Sequence, residues 1–268
     1  MADEARLDKH YLAARAEYEE TILATGIQAK WHVLDAGCGN GVFLPYIADM
    51  IGPTGKISAV DLAPENIDAI DTYVDRQNFS CAIETRAGNL TDLPYESGTF
   101  DAVWCANVTQ YLDESELKQT LSEFSRVLRP SGLVAIKEVD ISFWQYQPLE
   151  PGLIFRWVEW AKNQTDNTQT LGALRGTRIP AWMRSAGFEI VKRRTFLVER
   201  WSPLTSVERD FITDNLTFMA NMAVESDLPV DDKQVWERIK KSPEYILDDP
   251  DFCYRDIHVL SVGLSPSN

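Results

Sequence analysis

The chain has 268 residues, enough for one large domain or a core domain carrying a substantial insertion. It is 44% hydrophobic and 25% charged, an ordinary globular balance. Its formal net charge of −15, from 26 basic against 41 acidic residues, repels phosphate backbones and argues against a nucleic-acid partner. No apolar run reaches the length of a membrane span, and the charged start Met1–Arg6 lacks an apolar signal core, so the expectation is a cytoplasmic protein with no membrane partner. Cys38, Cys81, Cys105 and Cys253 are far apart and make no metal-ligand spacing; they read as reduced structural thiols, and no metal is expected.

Residues 4–25 read as a helix, because Leu7, Tyr11, Ala14, Tyr18 and Ile22 recur at helical spacing and Gly26 suits a C-cap. Next comes Val33-Leu34-Asp35-Ala36-Gly37-Cys38-Gly39-Asn40-Gly41. Its apolar start reads as the end of a buried strand, its glycines as a tight turn, and Val42–Ala48 as the first turns of a helix. A dinucleotide fingerprint would need its third glycine at position 42, which is Val42. A phosphate-binding loop would need Gly-Lys-Ser/Thr, which does not follow. The turn therefore suits a ligand without phosphates.

Lys56–Leu62 reads as a second strand ending in Asp61, a carboxylate with lone pairs for both hydroxyls of a ribose or for capping the helix that starts at Pro64. Pro64–Arg76 reads as that helix, Ser80–Arg86 as a third strand and Phe100–Cys105 as a fourth. Asp113 and Glu116 open a helix over Ser115–Leu128; Arg129-Pro130-Ser131-Gly132 breaks it before a fifth strand, Leu133–Glu138. Aromatics then crowd together as Phe143, Trp144, Tyr146, Phe155, Trp157 and Trp160. Glu189–Val198 reads as a sixth strand and Ile257–Leu264 as the last. The 58 residues between them are too many for a loop and read as helices, one with Phe211, Phe218, Met219 and Met222 on a face, another over Asp231–Lys241.

The glycine stretch resembles motif I of the class I S-adenosylmethionine-dependent methyltransferases. With Leu128–Gly132, the wording is most similar to the branch that includes ubiquinone and menaquinone biosynthesis enzymes. The resemblance covers residues 30–140 and implies an α/β, doubly wound, Rossmann-like fold: a seven-stranded, mostly parallel sheet with an antiparallel last strand and a helical cap insertion. The expected divisions are 1–30 (a helical segment over the cofactor), 31–140 (the cofactor-binding core), 141–200 (the rest of the core with an aromatic substrate side), 201–254 (the cap) and 255–268 (the last strand). A peripheral or homodimer-forming helix pair is the alternative for 201–254.

The resemblance implies S-adenosyl-L-methionine as cofactor. It places Asp35, Gly37 and Gly39 at the amino-acid end, Asp61 on the ribose, Leu62 and Leu90 beside the adenine, and Asn89 where relatives carry an aspartate toward the adenine amino group. Asn107 would face the methionine end, and Tyr11 on the N-terminal helix would add an aromatic contact. Tyr18, Tyr111, Trp144, Phe218 and Met222 are the expected substrate contacts, for an aromatic or apolar small molecule.

No catalytic residue is assigned. Related enzymes often carry histidine where Gln110 and Tyr111 stand. His32 and His258 are expected at the wrong end of the sheet, His10 on the surface, and Glu138 or Asp140 either as base or as a capping group. The expected activity is methyl transfer to a small organic molecule, oxygen first with nitrogen or carbon open, in secondary metabolism. The alternatives are a peptide or protein methyltransferase and a non-catalytic S-adenosylmethionine-binding protein.

Overall fold

The computed structural model describes residues 10–164 and 168–267. The expected N-terminal helix is seen from His10, and its regular part is α1 (Arg15–Leu23); residues 4–9 of that expectation lie outside the described residues. The central sheet is built from β1 (His32–Ala36), β2 (Lys56–Asp61), β3 (Ala82–Ala87), β4 (Phe100–Ala106) and β5 (Leu128–Val139), all parallel in the order β3-β2-β1-β4-β5. Val33, Leu34, Ile57, Val60, Val103 and Val134 are fully buried. Both faces are covered, as near-continuous apolar strands require.

The connecting helices are α2 (Leu44–Ile51), α3 (Pro64–Arg76) and α4 (Glu114–Val127). Pro45 and Pro64 sit in the first turns of α2 and α3, where a missing N–H costs nothing. Helix α4 starts with a full capping box: Asp113 accepts from the amides of Ser115 and Glu116, and Glu116 accepts from the Asp113 amide at 2.9 Å. Asp113→Ala is expected to cost about 1 kcal/mol, read as a lower thermal midpoint.

The predicted break at Arg129–Gly132 is not a gap. The strand begins directly at Leu128, and the pairing with β4 shifts register between Phe100 and Ala102, with Ser131 at φ +61°. Beyond β5 lie β6 (Gln145–Gln147), α5 (Pro151–Ala161), α6 (Thr168–Ala173), α7 (Ile179–Ser185) and β7 (Glu189–Trp201). The insertion follows as α8 (Ser206–Val224), α9 (Val230–Lys241) and α10 (Glu244–Leu247), and the chain returns as β8 (Cys253–Leu264). β8 runs antiparallel between β5 and β7. The short β6, which the sequence reading omits, pairs with Cys253–Arg255 and makes the sheet eight-stranded rather than seven-stranded.

One face of the sheet carries the N-terminal helix, α2, α5 and the insertion; the other carries α4 and α7. Two arginines fasten the first layer through ion pairs. Arg156 of α5 grips Asp232 of α9 through two nitrogens, at 2.6 and 2.7 Å. Arg200 of β7 donates to the Ala13 carbonyl and to both oxygens of Glu17, and pairs with Glu208 of α8 at 2.9 Å. The insertion is thus tied to the N-terminal helix as well as to the sheet. Among the described residues no helix is long and apolar enough to cross a membrane.

Candidate functional site

The glycine turn after β1 is pinned to β2. The amides of Gly37 and Cys38 both donate to the Val60 carbonyl, and the Gly39 amide donates to Asp61 Oδ2 at 2.8 Å. Gly37 has φ +76°, and a Cβ there would come within 2.4 Å of Val108, so only glycine lets the turn close against the loop after β4. Gly39 has φ +53° and nothing within 4 Å on its Cβ side, so its backbone faces open space.

Beneath the turn Asp35 is 2% exposed and its Oδ2 has no hydrogen-bond partner. Burial, with the charge of Asp61 adding to it, pushes the Asp35 carboxyl up to about 8. A buried acceptor without a partner points to a donor that arrives with a ligand. The α-ammonium group of an amino acid is such a donor.

Asp61 is more occupied than the ribose assignment requires. Oδ2 holds Gly39, and Oδ1 accepts from the Ala63 amide and Asn66 Nδ2, both at 3.0 Å. These bonds hold the turn into α3 without capping it, since its N-cap Ala63 receives no side-chain cap bond; a carboxylate with four lone-pair sites keeps one for a ligand. Leu62, at the same strand tip, is 71% exposed, as an apolar platform for a flat ring would be. Leu90 does not share that position: it is buried in the cluster with Leu34, Ala36 and Val60, because the turn at Asn89 sends it under the sheet. Asn89 is exposed, and its side-chain oxygen accepts from the Thr91 amide at 3.0 Å.

Tyr11 lies beside the turn. Its hydroxyl meets that of Tyr46 at 2.5 Å, and Tyr46 donates to Glu19. Tyr11, Arg15, Asn40, Tyr46, Asp49 and Tyr73 border an open depression of about 510 Å³. Its lining includes neither Asp61 nor Asn107, so it flanks the strand-tip edge rather than coinciding with it.

The second half of the site lies past the tips of β4 and β5. Asn107, at φ +57°, donates from Nδ2 to the Tyr18 hydroxyl and accepts from Lys137 Nζ at 2.6 Å. Lys137 Nζ also stands 4.3 Å from the Tyr18 ring centroid. Burial pushes the Lys137 amine down from its ordinary range.

His258 corrects the sequence expectation. A strand antiparallel to its neighbour begins where that neighbour ends, so the start of β8 is at the functional edge: His258 lies opposite Val139, the last residue of β5. His10 is not a free surface group either. Its ring stacks on Phe211 at 4.9 Å, and its Nδ1 lies 3.1 Å from the Tyr18 hydroxyl.

Glu138 Oε1 holds the turn after β4 through Thr109 N and Oγ1, at 2.6 and 2.8 Å. Asp140 is saturated by Ser142 and Thr177. Asp140 thus serves as a tether, the capping alternative; Glu138 tethers through Oε1 alone, while its Oε2 is buried without a hydrogen-bond partner and burial pushes its carboxyl up. Among the expected substrate contacts, Tyr18 is central and Trp144 is half-buried beside Tyr146. Tyr111 is 42% exposed on the outside of its turn. Phe218 is 41% exposed against Trp157, and Met222 lies on the same flank of α8; Phe211 is the residue of that helix that reaches the edge.

Nitrogen and oxygen atoms of His10, Asp256 and His258 lie within 4.8 Å of one another, a spacing that can hold a cation. The charge of Lys137 reaches both Asp256 and His258. An ammonium is a poor neighbour for a divalent ion, whose surroundings normally supply acceptors.

A doubly wound sheet, a phosphate-free glycine cradle and an acid at the second strand tip define a nucleoside-binding domain of the Rossmann-like methyltransferase class. Residues 33–132 match the family described as methyltransferase domain. The demethylmenaquinone methyltransferase of Lactobacillus johnsonii is 29% identical over 147 residues, covering 55% of this chain and 57% of that protein. The chloroplastic 2-phytyl-1,4-beta-naphthoquinone methyltransferase of Arabidopsis thaliana is 31% identical over 124 residues, covering 44% and 45%. A solved SAM-dependent methyltransferase from Aquifex aeolicus shares the fold at a TM-score of 0.55 and 21% identity, over 72% of this chain and 92% of that one. The chain spans little more than half the length of the first curated relatives it matches. Over residues 33–132 it matches a methyltransferase domain, and there it is similar to the class I S-adenosylmethionine-dependent methyltransferases. The unpartnered Asp35 oxygen, the open Gly39 backbone and the exposed Leu62 fit that cofactor.

Proposed function

We propose that this protein methylates a small, hydroxyl-bearing aromatic molecule of the quinone type, at oxygen first, with carbon or nitrogen as further acceptor atoms. Quinones are what the two named relatives act on. Secondary metabolism and a cytoplasmic location belong to the same reading, the latter supported by four buried free cysteines. The observation that carries it is the adjacency of two halves: a cradle for a charged amino acid under Gly37–Gly39, and a packed cluster of aromatic side chains, Tyr18, Phe43, Phe211 and Tyr254, just past Asn107.

The cofactor supplies a labile methyl group on a sulfonium. Asp35 would bind its ammonium, Asp61 its sugar and Leu62 its base. Asn107, fixed by Tyr18 and Lys137, would orient the reacting end. The His10–Phe211 stack closes over the edge, which suits a small acceptor held away from water better than a peptide.

Calorimetry with S-adenosylhomocysteine tests the cofactor half. Binding is expected, and Asp61→Ala should weaken it by about 2–4 kcal/mol, the worth of one or two hydrogen bonds to a charged group. Unchanged affinity would remove Asp61 from the ribose.

A further inference from the structure

We propose that His258 is the proton acceptor for the hydroxyl of the aromatic substrate. This rests on the methyl-transfer reading above and names the base that the reading leaves open.

The argument begins with strand geometry. Tyr254, Asp256, His258 and Leu260 alternate onto one face of β8. Lys137 pairs with Leu260 in the β5 register and so shares that face. His10, stacked on Phe211, packs edge-on against His258 with ring centroids 6.0 Å apart. His258 is fully buried, yet neither ring nitrogen has a partner. Its ring lies 4.8 Å from that of Tyr18, whose hydroxyl is bonded to Asn107. An imidazole enclosed among aromatic rings, one side chain from the cofactor edge, with both nitrogens unused, is placed to receive a proton from a ligand rather than to hold the fold.

The charged groups around it agree. Lys137 faces it from β5, Arg200 from β7, His10 and Tyr18 from the N-terminal helix, and Asp256 from its own strand. Burial, helped by Lys137, His10 and Arg200 nearby, holds the imidazole well below its usual range, so it stands unprotonated at neutral pH. A phenolate formed beside it would reverse that balance: the new negative charge pairs with Lys137 and with the imidazolium, and Asp256 steadies the imidazolium from the other side.

The step balances. The O–H proton passes to a ring nitrogen of His258, and the electron pair of that bond becomes the new O–CH3 bond. The pair of the broken S–CH3 bond stays on sulfur as a neutral thioether. The positive charge that began on the sulfonium ends on the imidazolium. Access requires the His10–Phe211 stack to part.

The test uses the full chain saturated with S-adenosylhomocysteine and 4-nitrophenol as probe, whose ionised form absorbs visible light. About one pH unit below the probe's own ionisation, a one-unit shift raises its ionised fraction about fivefold. Wild type is expected to show that rise, saturably. His258→Gln should abolish it with S-adenosylhomocysteine affinity unchanged, and Asp256→Asn should reduce it. His258→Phe, which fills the same space without a polar atom, serves if the glutamine variant does not fold. No ionisation by wild type with the cofactor product bound, or equal ionisation by the His258 variants, overturns the assignment and leaves the methyl-transfer reading intact. Failure of wild type to bind S-adenosylhomocysteine overturns both.

Discussion

Asp35→Asn is expected to make the empty protein more stable at pH 8 and less able to bind S-adenosylhomocysteine. The Asp35 carboxyl is buried, lacks a partner on Oδ2, and is raised to about 8 by burial first and by Asp61 second. In the unfolded chain it would ionise near 3.9. Below about pH 4 both states hold the proton. Between about 4 and 8 only the folded state holds it, so the folded state binds more protons and stability falls as pH rises. At about 1.4 kcal/mol per pH unit, the loss across that window approaches ~5 kcal/mol from this one group, an order-of-magnitude figure. Asparagine cannot ionise, so the difference between variant and wild type isolates Asp35 from other buried acids such as Glu138. That difference should grow with pH and level off above about 8.

Binding adds a second signature. A ligand ammonium beside Asp35 would favour its charged form and expel the proton. Calorimetry near pH 7 in phosphate and in Tris should therefore report release of close to one proton by wild type and none through this site by the variant. The variant should also lose about 1.5–3 kcal/mol of affinity, the worth of a charge-assisted hydrogen bond. A stability difference that is flat from pH 4 to 8, together with no proton release, would mean that Asp35 is already ionised in the empty protein.

The two halves of the site were not equally legible. The cofactor half is local in sequence: Asp35, Gly37 and Gly39 are consecutive chemistry, and Asp61 ends a strand that a βα pattern already locates. The proposed acceptor half is assembled from His10, Tyr18, Asn107, Lys137, Asp256 and His258, spread over nearly the whole chain. Composition around none of them marks a site. The alternation Tyr254, Asp256, His258 was visible, and polar residues on the buried face of a strand are a signal. The error lay in direction: an antiparallel return strand puts its beginning, not its end, at the ligand edge. On α8 the insertion was read as helix correctly, but Phe211 and Phe218 are two full turns apart, and only the first reaches the edge. The three-residue β6 carries too little pattern to be found before its partner β8 is placed.

Gly172→Ala is expected to be among the most damaging single-methyl additions among the described residues. Gly172 lies in the short helix α6, where a Cβ would fall 2.0 Å from the Gln110 carbonyl oxygen and 2.4 Å from its Cα. These are backbone atoms, so no side-chain rotation relieves the overlap; either α6 or the 109–112 turn must move. The turn cannot move freely. Arg175 donates to the carbonyls of Thr109 and Leu112, and Glu138 holds the Thr109 amide from below. Overpacking against a held backbone costs about 1–3 kcal/mol or somewhat more, in spite of the gain in helix propensity. The same displacement would pull on Asn107, two residues before Thr109, and through it on Tyr18 and Lys137. A shift near 1 Å at a reacting centre can cost about a hundredfold in rate. Gly98→Ala is the fitting comparison: φ there is +68° with nothing within 4 Å of the added methyl, so it should cost only the ~1 kcal/mol of a left-handed alanine and leave S-adenosylhomocysteine binding untouched. Thermal midpoints and calorimetry on both variants check this. If Gly172→Ala proves as mild as Gly98→Ala, the turn after β4 is not held against α6, and the acceptor edge lacks the rigid backing described for it.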